Sequence, residues 1–369
     1  MASVLISGAS VAGPALAYWL TRHGFSVTVV ERTPGLRPGG QAIDIRGVAL
    51  EVVSRMGILP AVEEHRTRMK GASALDREGK EVRRSSERSF TSGRFDSGDI
   101  EILRDDLVPI LYEATRARGE YIFDNTITGI EESESSVAVE FESGVSRRFD
   151  IVVGADGIYS TTRSLVFGPS ESFLRHMEIY VAIFTVKNLL GLQDWQIAIS
   201  GEKSRALLYP ARENSELRIF AGFGSALLDR GLSVAQQKAL VLEQCAELGW
   251  EMPRLFAAMK DSPVFYLGPM AQIHMPSWSR GRVTLVGDAG YCPSPMSGQG
   301  TSLALVGAYV LAEELARNRG DHNVAFARYE ARLRPFVDIN QALALRDRGD
   351  DAEGDKALDE AKNAIALDA

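Results

Sequence analysis

The segment Gly8-Ala9-Ser10-Val11-Ala12-Gly13 has the residue types and spacing to hold a dinucleotide. It follows a short apolar run, residues 3–7, and opens a helical pattern. In such a loop the first glycine permits a tight turn and the last lets helix and strand close on each other. The free N–H groups and positive dipole end of the helix then face a pyrophosphate. Ser10 stands where a second glycine is usual, and its small side chain still allows backbone approach. Glu31 ends the next apolar run, about 18 residues after Gly13, where an acid accepts hydrogen bonds from ribose hydroxyls. Gly8, Ser10, Val11, Ala12, Gly13, Glu31 and the adjoining Arg32 are therefore candidate cofactor contacts. A glycine loop alone is a weak signal, but with strand, helix and terminal acid in order it is a strong one.

Two further motifs bear on which dinucleotide this is. Val152-Val153-Gly154-Ala155-Asp156-Gly157 is followed by Ser160 and Arg163. Val286-Gly287-Asp288-Ala289-Gly290 is followed by Pro295, Gly298, Gln299, Gly300 and Thr301. With the first loop, they resemble the ordered motifs of class A FAD-dependent monooxygenases of the para-hydroxybenzoate hydroxylase fold. The branch they look most like holds tetracycline-inactivating monooxygenases and actinobacterial polyketide hydroxylases.

That resemblance implies roles for particular residues. Asp288 would hydrogen-bond the ribityl chain. Residues Pro295 to Thr301 would open a long helix toward the flavin N1–C2=O edge, which becomes anionic on reduction, so a helix N-terminus suits it. Asp156 would lie near the pyrophosphate and the path of the nicotinamide. Arg104 would contact FAD from a helix start, Arg46 would lie near the isoalloxazine, and Ile127 would offer backbone groups to the adenine. Tyr291 stands where many relatives carry histidine, and no catalytic role is assigned to it.

The chemistry implied is the cofactor's. NADPH or NADH, visiting transiently because no second nucleotide loop is visible, would reduce FAD. O2 would add at flavin C4a, and the hydroperoxide would oxygenate an aromatic or polycyclic small molecule in a site that excludes water. Leu208, Phe220 and Phe223 would form an apolar wall over the ring, with Tyr209 as a polar contact and Pro295 at the floor. A flavin oxidase or reductase on the same fold is the alternative reading, since fold does not fix reaction. A non-catalytic flavin binder is a third reading.

The elements that must position these residues read as α/β. Residues 3–7, 27–30 and 149–153 look like buried parallel strands, with helices over 11–23, 48–56, 105–118 and 301–317. Between 175 and 224, strand-like runs at 177–186, 195–200, 205–210 and 217–223 follow one another without helices, as in an antiparallel sheet. A helix follows over 233–248. The expected organisation is a Rossmann-like FAD-binding domain over 1–70, 98–170 and 276–320. A substrate domain of 71–97 and 171–275 is inserted into it. Residues 321–369 form a C-terminal helical segment in which Ala357, Leu358, Ala361 and Ile365 share a face.

Composition excludes other classes. The 369 residues are 45% hydrophobic and 24% charged, and carry net charge −8, which rules out a disordered chain and offers no basic field for nucleic acid. The 34 glycines exceed the usual share, and the excess gathers in the motifs. With two cysteines and five histidines, no HExxH and no cysteine cluster, no metal site is expected. His176 and His274 read as structural, and Ser204 lies in no nucleophile elbow. The apolar stretch at the N-terminus lacks a basic flank and is broken by Gly8, Gly13 and Pro14, so neither a signal peptide nor a membrane span is expected. The reading is a cytoplasmic monomer.

Overall fold

The computed structural model describes residues 2–228, 231–319, 321–346 and 351–368. Its first layer is a six-stranded sheet in the order Ser279–Arg280, Val283–Leu285, Ile151–Gly154, Ser3–Ser7, Ser26–Val30, Glu120–Ile122. All its pairs are parallel except the Ser279–Arg280 hairpin edge. The central strands are near-continuous apolar runs because both faces are covered. Ala12–Arg22 and Gly300–Arg317 pack together on one face of the core. A small antiparallel sheet, Ile127–Glu132, Val137–Phe141 and Ser146–Phe149, covers Leu5, Val30 and Val152 on the other.

The second layer is a seven-stranded sheet in the order Phe265–Ile273, Leu174–Lys187, Glu216–Gly224, Ser204–Ala211, Trp195–Ser200, Gly71–Leu75, Glu81–Ser85. It is antiparallel except where Trp195–Ser200 runs parallel to Gly71–Leu75. One face packs against the helices Val234–Gln244 and Met252–Met259 through Leu208, Phe223, Val241, Leu255 and Phe256. Leu208 and Phe223 therefore lie in this core, not on the wall expected of them. The reason is the period of a strand: Phe220 and Phe223 are three residues apart and point to opposite faces. The Phe265–Ile273 strand and the Met252–Met259 helix were not evident from the sequence.

Two elements join the layers. Ala42–Ile45 pairs antiparallel with Ile100–Leu103, placing Asp44 directly opposite Glu101. The C-terminal helices His322–Leu343 and Asp351–Lys362 pack against each other, the first also lying along Gly300–Arg317. Within that interface the buried Tyr329 hydroxyl donates to the Leu285 carbonyl at 3.0 Å and stands 3.0 Å from the Tyr291 hydroxyl. No described helix is long and apolar enough to cross a membrane.

The Tyr329 contact ties a parallel strand and the segment after Asp288 to the C-terminal helix. Tyr329→Phe strands the buried Leu285 carbonyl, a loss of about 1–3 kcal/mol. A urea denaturation curve should show a lower midpoint with an unchanged slope.

Candidate functional site

The C-terminal ends of three neighbouring strands converge at Ser7, Val30 and Gly154. The Gly8 N–H donates to the Val30 carbonyl at 2.7 Å, and the Ala155 N–H to the Ser7 carbonyl at 2.8 Å. Gly8 has φ +110°, and a Cβ there would sit 2.5 Å from the Ala155 carbonyl oxygen. A Cβ on Gly13 would sit 1.9 Å from the Gly8 carbonyl oxygen. The loop can close only without side chains at both positions, and it then presents the start of Ala12–Arg22 to a cavity.

That cavity, of about 1580 Å³, runs between the two layers. Gly8, Ser10, Val11, Ala12, Glu31, Arg32, Arg46, Arg104, Asp156, Asp288, Pro295, Gly298, Gly300 and Thr301 all line it. Gly13 supports the loop from behind. Ile127 is buried in the small sheet opposite Phe141, and its neighbours Asn125 and Thr126 face the cavity in its place. The Gln299 side chain is fully buried outside the lining, with neither amide atom partnered.

Glu31 braces the loop. Its Oε2 accepts from the Ala9 N–H at 2.8 Å, and its Oε1 accepts from the N–H and hydroxyl of Thr33 at 3.1 and 3.0 Å. Arg104 opens its helix with its guanidinium on the carbonyls of Arg37 and Gly39. Among the described residues it has no salt bridge. Burial, and then the neighbouring charge of Arg37, lower its pKa to about 10, with Asp105 and Glu31 compensating only in part. A mostly buried guanidinium short of negative charge is a site for an anion.

Asp156 serves its own helix. Its oxygens accept from the Ser160 hydroxyl at 2.5 Å and from the N–H and hydroxyl of Thr162 at 2.9 and 3.0 Å. Ser160 in turn caps Thr161–Phe167. The buried Arg163 then donates to the Ala289 carbonyl at 2.7 Å, linking the second motif to the third. Asp288 stands open to the cavity with protein on every side, and this desolvation raises its pKa. It makes no salt bridge among the described residues, and beyond its contact with the Cys292 thiol it can accept from a ligand's hydroxyls.

Beyond it, Ser294 and Gly298 both take positive φ, 75° and 68°, turning the chain into Gly300–Arg317. That helix has no side-chain cap, so its first N–H groups are open to a ligand's anionic edge. Arg46 is buried nearby. Its guanidinium meets Asp44 at 2.9 Å and Asp99 at 3.3 Å, and donates to the Ser92 and Thr91 carbonyls at 2.9 and 3.0 Å. Burial opposes its charge, but Asp44 and Asp99 outweigh that and raise its pKa.

The far wall is apolar. Val181, Ile183, Phe220, Val264, Tyr266 and Pro269 line it. Tyr209 does not, because its hydroxyl is sealed against the strand below, accepting from the Ala42 N–H at 2.7 Å. Sequence reasoning missed Val181 and Ile183, whose alternation was visible, and Tyr266, on an unrecognised strand. It also passed over Asp44, whose signal was an acid set between Ile43 and Ile45. His274 meets the Gln272 side chain at 2.8 Å, and His176 tilts against the Tyr180 ring. Both cysteines are buried and free. No cluster able to hold a metal occurs among the described residues.

This arrangement suits FAD: an arginine only partly compensated for the diphosphate, a carboxylate without a salt bridge for the ribityl chain, and an uncapped helix for the ring edge. Comparison with known proteins agrees. Residues 1–338 match the family described as FAD binding domain. An uncharacterized protein of Mycobacterium tuberculosis is 51% identical over 348 residues, 93% of this chain and 92% of its own length. A flavin-dependent monooxygenase of Legionella longbeachae is 40% identical over 345 residues, 93% of this chain and 87% of its own. The crystal structure of the tetracycline destructase Tet(51) superposes with a TM-score of 0.89 at 33% identity over 99% of both chains. The chain belongs to the FAD-binding-domain family, among the flavin-dependent monooxygenases.

Proposed function

We propose that this chain uses NADPH or NADH and O2 to oxygenate an aromatic or polycyclic small molecule held between bound FAD and the seven-stranded sheet. The observation that carries the reading is the continuity of one cavity. It is lined both by the glycine loop and the Gly298–Gly300 turn and by Phe220, Tyr266 and Val181 of the seven-stranded sheet. A ring system seated between them would be oriented by the apolar wall and screened from water.

FAD supplies the oxygen chemistry when bound. Arg104 and the Ala12–Arg22 N-terminus would hold its diphosphate, Glu31 its adenosine ribose, Asp288 its ribityl chain and the Gly300–Arg317 N-terminus its ring edge. Asp156, committed to its helix cap, positions the loop. The nicotinamide has no second glycine loop and would enter from the open side. Because Tet(51) and a second match are tetracycline destructases, tetracyclines are the first substrates to test.

Purified protein should be yellow and oxidise NADPH faster when tetracycline or a related polycyclic phenol is added. Mass spectrometry should then find one atom from labelled O2 in the product. Colourless protein that takes up no FAD overturns the flavin reading. Label appearing only in peroxide or water favours the oxidase alternative.

Two substitutions separate the halves of the cavity. Arg104→Ala removes a charge-assisted contact of about 1.5–3 kcal/mol, so FAD affinity, read by flavin fluorescence, should fall about 10- to 100-fold. Tyr266→Ala should leave FAD affinity unchanged. It should raise the KM for an aromatic substrate about tenfold, as expected when aromatic contact of about 1–2 kcal/mol is lost.

A further inference from the structure

One group of buried charges is not used by the binding scheme above. Asp44 and Glu101 face each other across the Ala42–Ile45 and Ile100–Leu103 pair, and both are nearly inaccessible. Like charges directly opposite on paired strands repel, and burial weakens the screening between them. Asp44 Oδ2 is taken by Arg46 at 2.9 Å, while Glu101 Oε1 accepts from the Thr67 hydroxyl at 2.5 Å. The remaining oxygens, Asp44 Oδ1 and Glu101 Oε2, are both buried with no partner. A buried carboxylate oxygen without a donor is costly, and two on facing residues are relieved if the pair holds one proton.

The surrounding charges require the same proton. Asp44 is faced by Arg46 from its own segment, by Asp99 and Glu101 from the paired segment, and through Asp99 by Lys362 from the C-terminal helix, whose Nζ lies 3.2 Å from both Asp99 oxygens. Tyr209 flanks Glu101 and remains neutral, its pKa raised by burial. Lys362 is also shared with the exposed Asp359 at 2.7 Å, so the three buried acids meet two cations of which one is already partly engaged, and at least one negative charge is left uncompensated. This cluster abuts the flavin-side turn: a Cβ on Gly298 would sit 3.7 Å from Arg46 Nη2.

We propose that Asp44 and Glu101 share a single proton, which removes one negative charge from this cluster beside the ring-edge turn. Burial, reinforced by Glu101 and Asp99 and opposed by Arg46, pushes Asp44 up to about 7, and burial also raises Glu101. The two groups titrate as a pair. Two-electron reduction of a flavin with uptake of one proton leaves one negative charge on the ring. A cluster that holds the proton tolerates that charge better than one that has lost it. This second consequence rests on the flavin reading above, whereas the shared proton does not.

The two are tested separately. Infrared spectra of the flavin-free protein near neutral pH should contain a protonated-carboxyl band that Asp44→Asn and Glu101→Gln each remove. Each amide keeps the shape of the acid it replaces and removes a buried charge, so both variants should fold. Because folding raises the Asp44 pKa above its unfolded value of about 3.9, its favourable contribution is complete at low pH. It is lost as pH rises from about 4 to about 7. The denaturation midpoint of the native protein should therefore fall relative to that of Asp44→Asn across this window. With FAD bound, the midpoint potential should fall more steeply above pH 7 in the native protein than in either variant. Absence of the band, or its persistence in both variants, overturns the shared proton. Parallel potentials overturn its effect on the ring. Failure to bind FAD overturns the functional reading and leaves the infrared result to decide the proton.

Discussion

The contact between Gly13 and the Gly8 carbonyl is the constraint on which the rest of the structure depends. A methyl group at Gly13 would overlap that oxygen, so the helix can start where it does only because nothing is there. Its start fixes the direction in which its free N–H groups point. The same closure brings Gly8 under Val30 and Ala155 beside Ser7. Glu31, at the end of one strand, can then brace Ala9, and Asp156, beyond another, can cap its own helix. Three parts of the chain far apart in sequence are brought together by backbone geometry. The ligand groups they carry need little further arrangement.

The cavity is electrostatically unlike the chain that encloses it. The protein carries a net charge of −8, yet the cavity lining sets seven arginines, among them Arg32, Arg37, Arg46 and Arg104, against six acids. The arginines are not equivalent. Arg46 is matched by Asp44 and Asp99 and held by two carbonyls, so its charge is spent inside the protein. Arg104 is held only by carbonyls, and its charge remains to be answered. The distinction between a structural and a ligand-binding arginine lies in the partners, which a sequence does not display. The two looked alike as motif residues.

Much of the architecture was legible because it rests on local periodicity. The glycine loop, the parallel strands, the antiparallel run from 174 to 224 and the Gly300–Arg317 helix all announce themselves by spacing. The failures have physical causes. Phe265–Ile273 contains Gly268 and Pro269, which argue against a strand. It is tolerated as one because it lies at the sheet edge, where proline need not donate. Alternation picked out Leu208, Phe220 and Phe223 together, but strand parity sends Phe223 to the helix side with Leu208 and leaves Phe220 facing the cavity. Ile127 was placed one or two residues too late, where the chain had already entered a ladder.

The C-terminal segment shows why net charge is a poor guide to position. Residues 346–369 hold more acids than bases and would pass for a solvated tail. Yet Ala361, Lys362 and Leu367 are buried, and Arg55 holds Asp368 by two hydrogen bonds at 2.7 Å. Lys362 is the decisive residue. Its ammonium lies against Asp99 with almost no exposure, and burying it costs several kcal/mol unless it is paired. It is tolerable because it is paired twice, by the buried Asp99 at 3.2 Å and by Asp359 on its own helix at 2.7 Å. Conversely, without Lys362 the acids beside Arg46 would need a second proton or a route to water. The tail and the cavity wall thus solve each other's electrostatic problem, and neither charge pattern makes sense when read alone.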